Sequence, residues 1–442
     1  MNNWSIEASW EALDCGAPEE RAAFAAIQIS ANGRCHTEGH DRFAKRIRQA
    51  PYLSGYHLAE WLAWNWWRLR WEPRSRSKSW GFAHRMASIG QGYIWPNLAI
   101  FSDGEFSTLM SKSDADTNPP PYRYLSDAVS VVSAREFERE VDLFVNQVIE
   151  RLHDEGVADS NLETVWQAIM EERRQPELAR QRRLEALSGA DPDELPPNCL
   201  QAWLDDEKLL GEAVIGEIAA NHGQGGPLLS LAELRAIGAS DGFAATPTQG
   251  VKQLGLSTTM TGVVRPPWQL GVEAAQALLA EQDLKSGPLP DKRLAELFGT
   301  TDKVLDSRPS QSRDMDMSFF VQDEPGYGKL ILRSRWHDGR RFELARLLGD
   351  RLVFPARCAL LPATRAYTYR QKVQRAFAAE LLSPFQEVEA FLAGDFSEEM
   401  QQEAAQYFQV SELNIRTQLA NHRHIDRDEL DWEQPVDSRN TA

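Results

Sequence analysis

Arg341-Phe342-Glu343-Leu344-Ala345-Arg346-Leu347-Leu348-Gly349-Asp350 is the stretch on which the reading of this 442-residue chain turns. Arg346 and Asp350 stand four positions apart and, in a helix, face the same side. Leu347 lies beside Arg346 and can neither take nor give a proton. A guanidinium stays cationic and offers only donors, so Arg346 cannot ligate a metal. These residue types argue against metal-assisted hydrolysis by this segment.

The frame resembles the zinc-binding helix of the ImmA/IrrE-type metallopeptidases, R-F-x-L-A-H-E-x-G-H. There two His at i and i+4 bind the metal and the Glu between them is the general base. Here Arg346, Leu347 and Asp350 hold those positions. Other segments are similar in the same order. Pro267 to Gly299 offers an amphipathic helix (Gly271 to Leu284), then Pro288-Leu289-Pro290, then Leu294-Ala295-Glu296-Leu297-Phe298-Gly299. Leu330-Ile331-Leu332 resembles the strand before the metal helix. Phe377-Ala378-Ala379-Glu380-Leu381-Leu382-Ser383-Pro384 matches F-A-A-x-L-L-x-P. Val410-Ser411, with Arg416 and Leu419, resembles the closing helical pair. The third ligand of the family is a Glu in E-x-x-A-N, a frame that puts Gln371 at the ligand position and Gln374-Arg375 in place of Ala-Asn. Glu380 falls where the family has no ligand.

The resemblance, over roughly 266–422, implies a zincin-like helical module without ligands or base, hence no cofactor; zinc is the alternative. It implies that Arg346 and Asp350 pair within the vacated site, with Gln371 hydrogen-bonding them from a facing helix. The other reading turns Arg346 to solvent in a cleft that still holds a peptide. Ser397 to Phe408 and Ser411 to Ala420 have helix–turn–helix spacing, which the resemblance assigns to packing within the module rather than to DNA.

A chain this long predicts two or three domains. The net charge of −17 argues against a general nucleic-acid or membrane surface, since phosphates repel such a field, and leaves a local basic patch open. No apolar run reaches 18 residues, and the start lacks a basic and apolar leader. Four scattered cysteines do not read as a disulfide framework, so the expected setting is a reducing cytoplasm.

The predicted organisation is α+β. A Trp-rich mixed α/β module spans 1–154, a helical region 155–265, the peptidase-like module 266–424 and a polar tail 425–442. Ala26 to Ser30 alternates as a half-buried strand. Leu98–Phe101 and Phe106–Met110 flank Ser102-Asp103-Gly104-Glu105, a hairpin signal. Ala128 to Val132 predicts a strand, and Ser133 with Glu136 a capping box opening a helix. A loop is expected over 112–122, around Asn118. Glu171 to Leu187 predicts a solvated helix pair broken at Pro176, Leu200 to Ala220 a further helical stretch, and Ser240 to Met260 a linker.

Seven of the 14 tryptophans lie between 61 and 95. Leu58 to Trp71 predicts one helix with Trp64, Trp67 and Trp71 on a stripe. With His84, Arg85 and Trp95 these are the ligand-binding candidates, as an aromatic pocket that stacks a base, a cation or a side chain. Large-residue core packing explains the same spacing. Cys35, His36 and His40 are the weak metal candidates: three ligand types within six residues, but no second pair.

The function expected from the resemblance is a catalytically inactive binding, sensor or scaffold protein in a bacterial regulatory, stress or phage-defence circuit. Its partner would be a protein, such as a repressor or defence-system component. The alternative is a metal-dependent endopeptidase with a non-standard site that cleaves a repressor-like partner.

Overall fold

The computed structural model describes residues 3–426, apart from 116, 118, 248–253, 255, 261–262, 285, 307–315 and 355–358. Asn118, Cys358, much of the expected linker and nearly all of the polar tail lie outside the described residues. The architecture is α+β, as expected. Among the described residues no helix is long and apolar enough to cross a membrane. Contacts divide the chain into two units: 1–208 with 215–228 and 366–369, and 209–214 with 229–365 and 370–442.

Among the described residues the first unit holds three antiparallel sheets. Phe24–Ala31 pairs with Trp4–Trp10, Arg34–Cys35 and Tyr52–Ser54. Its Ala25, Ile27, Ile29 and Ala31 are buried, as a period of two demands. Leu98–Ser102, Phe106–Ser111 and Ala128–Ser133 form the second sheet. In its first turn the Asp103 carboxylate accepts from the amides of Glu105 (3.1 Å) and Phe106 (2.8 Å), and Gly104 takes φ +101°. Gly39–Asp41 runs between Arg46–Arg48 and Tyr122–Tyr124 in the third. The helix Ala134–Asp154 opens with the Ser133–Glu136 capping box and buries Phe137, Val141, Phe144, Val145, Val148 and Leu152.

Two expectations are corrected here. Leu58 to Trp71 is not one helix but two, Gly55–Trp64 and Trp66–Trp71. Asn65 divides them; its side-chain amide donates to the Trp61 carbonyl at 2.8 Å and competes with the helical ladder. The helical stretch expected over Leu200 to Ala220 is present as Pro197–Leu210 and Glu212–His222, which meet at Gly211, whose φ of +85° ends a helix. The pair Asn161–Arg174 and Pro176–Leu187 breaks at Pro176 as expected but is not solvated throughout. Arg182 and Glu185 are buried, and Arg182 donates to Glu172, Glu185 and Asp193 at 2.8–2.9 Å.

The second unit carries a four-stranded antiparallel sheet in the order Phe243–Ala245, Tyr327–Ile331, Ser318–Glu324, Leu360–Ala363. The first of these strands lies inside the expected linker. The helices include Pro267–Glu281, Asp291–Phe298, His337–Val353, Tyr369–Leu382, Glu398–Phe408 and Glu412–Asn421. Ser397 and Ser411 cap the last two.

Helices 267–281 and 369–382 meet backbone to backbone at Gly271. A Cβ there would stand 2.5 Å from the Val373 carbonyl oxygen and 2.8 Å from the Phe377 amide nitrogen. In the interior of a helix, Ala is favoured over Gly by about 1 kcal/mol. Overpacking against backbone that cannot yield costs about 1–3 kcal/mol and reverses that preference. Gly271→Ala is therefore expected to lower the urea midpoint, although it is the better helix former.

Candidate functional site

In the helix His337–Val353 every residue from Glu343 to Asp350 is buried. Such a helix is tolerated only if each polar group finds a partner. Arg341 donates to Asp291 and to the Leu289 carbonyl (2.7 Å). Glu343 accepts from the Ser334 amide at 2.9 Å and from Arg333 Nε at 3.3 Å.

Arg346 and Asp350 do not pair with each other, contrary to expectation. Asp350 receives Arg370 in fork geometry: Nε to Oδ1 and Nη2 to Oδ2, both 2.6 Å. Gln374 Nε2 adds a bond to Oδ1 at 2.8 Å. Arg346 turns instead toward the end of the strand Leu360–Ala363, donating Nη2 to the Thr364 carbonyl (2.7 Å) and to Gln371 Oε1. The reason is geometric. Arg370 approaches from the facing helix and satisfies both carboxylate oxygens, which is the stronger pairing. Gln371 also accepts from the Thr364 amide (2.9 Å) and donates to the Pro362 carbonyl (3.1 Å). It thus supports Arg346, as expected, but not Asp350. Leu347 is fully buried.

The expected juxtaposition of 341–353 with the helix holding Gln371 to Leu382 is present. It is set by Gly349, where a Cβ would stand 2.5 Å from the Phe377 ring. Chemically this cluster binds two helices and a strand end. It offers neither a carboxylate free to activate water nor a neutral nitrogen to hold a metal.

The Trp-rich candidates differ in burial. Trp64 is 60% exposed on the surface, whereas Trp67 and Trp95 are core residues. Trp67 Nε1 donates to Glu172 at 2.7 Å and Trp95 Nε1 to the Gly90 carbonyl at 2.8 Å. Trp71 is half-buried, with the guanidinium of Arg70 3.8 Å and that of Arg183 4.8 Å from its ring centre. Arg85 is exposed and His84 is buried.

The buried His84 is held at both ring nitrogens. Its Nδ1 meets the Ile100 carbonyl at 2.7 Å and its Nε2 meets Glu72 Oε2 at 2.8 Å. The same Glu72 oxygen accepts from Arg68 Nε at 2.7 Å. Glu72 was not singled out in the sequence; its i+4 spacing from Arg68 was the available signal.

Cys35, His36 and His40 are not gathered. The buried His36 ring is held between the hydroxyls of Ser111 and Ser130, each at 3.0 Å. Burial, helped by Arg34, pushes its pKa down to about 4, so it is neutral at pH 7. Cys35 Sγ contacts Thr37 and the Gln49 carbonyl, and His40 lies in a different sheet.

No family model matches the sequence, and neither a curated protein nor a solved structure does.

Proposed function

We propose that residues 266–422 form a peptidase-like module, resembling the ImmA/IrrE-type metallopeptidases, that has exchanged hydrolysis for binding. On this reading the protein is a cytoplasmic scaffold or sensor in a bacterial regulatory, stress or phage-defence circuit. Its partner is a protein of the repressor or defence-component class. The observation that supports the reading most is the fork between Arg370 and Asp350. One position that the resemblance assigns to a metal ligand is closed by an arginine, and a second, Arg346, is itself a cation bonded to the third, Gln371. Charge balance that a metal would supply is supplied by side chains.

Zinc titration tests this. The parent is expected to take up no stoichiometric zinc by calorimetry. Arg346→His, Leu347→Glu, Asp350→His and Gln371→Glu together restore the ligand set. Arg370→Ala is added, since Arg370 would otherwise stand as an unpaired cation beside the metal. This five-fold variant is expected to gain zinc affinity, weakly for want of supporting hydrogen bonds to the new ligands. Zinc bound by the parent overturns the inactive reading. No gain in the variant overturns the resemblance.

A further inference from the structure

The chain is strongly acidic, yet one hairpin is not. Between Gly39–Asp41 and Arg46–Arg48 the residues Arg42 to Ile47 are all exposed. The Asp41 carboxylate caps the turn, accepting from the amides of Phe43 (3.1 Å) and Ala44 (2.9 Å), and Lys45 closes it at φ +50°. This holds Phe43 outward with 86% of its surface exposed. Arg48 is neutralised by Asp41 at 3.2 Å. Among the described residues the Arg42 side chain donates to the Pro119 carbonyl at 2.9 Å, and Arg42, Lys45 and Arg46 meet no carboxylate.

The sheet behind the turn extends the patch. Cross-strand partners share a face, so Ile47, His40 and Arg123 form one row across three strands. Ile47 is 63% exposed, and His40 and Arg123 are half-buried. The opposite face turns inward through Tyr124, which is buried and bonds the Ile94 carbonyl at 2.8 Å. Among the described residues, two cations without a carboxylate partner, Arg42 and Lys45, and the exposed Phe43 ring thus stand on the turn beside this row, whereas Arg46, the cross-strand partner of Asp41, belongs to the Tyr124 side.

We propose that this hairpin and sheet face bind single-stranded nucleic acid. Exposed cations that no carboxylate neutralises suit phosphates, and a ring clear of the surface suits an unpaired base, which stacks without regard to sequence. An acidic peptide would use the cations and leave Phe43 idle. The −17 charge confines contact to this patch, so the site takes a short strand.

The test is fluorescence anisotropy of labelled twelve-nucleotide RNA and DNA with the full chain, between 50 and 200 mM salt. Both sugars are included because phosphate and base are common to them. The parent binds one or both. Arg42→Gln/Lys45→Gln weakens binding at least ten-fold and reduces the log–log salt slope by about 1.4, at roughly 0.7 per phosphate contact. Phe43→Ala weakens it by roughly ten-fold with the slope unchanged, and Phe43→Trp retains it. These side chains are exposed, so the thermal melts of the variants coincide with the parent's. Absence of binding at 50 mM salt overturns the proposal, as does binding at the parent's affinity by either the double variant or Phe43→Ala. Binding to phosphatidylserine vesicles or polyglutamate without binding to either oligonucleotide overturns it too.

Discussion

Asp350→Ala is expected to destabilise the protein by about 3–5 kcal/mol, because it leaves the buried Arg370 guanidinium without its carboxylate. Arg370→Ala should cost a similar amount by stranding Asp350, which has no exposed surface. The double variant should recover part of the loss, since removing both charges removes the desolvation penalty along with the attraction. Arg346→Ala distinguishes this from pairing within one helix. Arg346 bonds Thr364 and Gln371, so its effect should add to that of Asp350→Ala with little coupling. Urea melts of the three singles and two doubles provide both cycles. Strong coupling between Arg346 and Asp350, with none between Arg370 and Asp350, would contradict the geometry.

Glu72→Ala should have an effect of the same order, about 3–5 kcal/mol, since one carboxylate serves both Arg68 and His84. The pH dependence follows from the direction of its shift. Burial pushes the Glu72 carboxyl up, but the bonds from His84 and Arg68 outweigh it and hold the group below its ordinary 4.5. The unfolded chain therefore takes up the proton first as pH falls. The stability that Glu72 contributes is fully present above pH 4.5 and is lost below it, as pH drops through the native value. The gap between parent and Glu72→Ala should accordingly narrow in melts below pH 4.5. A gap that is constant from pH 7 to pH 3 would mean that the carboxylate charge is not what holds the cluster.

Local chemistry made several elements legible. Asp103-Gly104 between apolar runs, the alternation of Ala26 to Ser30, and Ser133 three residues before Glu136 each name their own conformation. The division at Asn65 was hidden because Trp61, Trp64 and Trp67 keep helical spacing across it. Spacing also cannot separate an exposed Trp64 from a buried Trp67, since both sit among aromatics and only the packed layers decide. The candidate cluster was legible in its members and not in its pairing. Sequence offers Arg346 as the neighbour of Asp350 because i,i+4 is the only proximity it displays. The actual partner lies 20 residues away on another helix, adjacent to the Gln371 that was singled out. The buried Arg182–Glu185 pair was obscured for a related reason: a run of Arg and Glu looks the same whether water or protein surrounds it.

The interlocking of Arg346 with Gln371, and of Asp350 with Arg370 and Gln374, constrains how this sequence can drift. Each residue is the condition for another's tolerance, so a lineage that changes one alone passes through a form with an orphaned charge. Exchanges at these positions are accepted in sets or after stabilising changes elsewhere have made room. Gly349 narrows the path further, because the close approach of Phe377 leaves no slack for a larger side chain to absorb. Relatives of this chain should therefore fall into discrete groups here, keeping the five residues together or replacing them together, with few intermediates between.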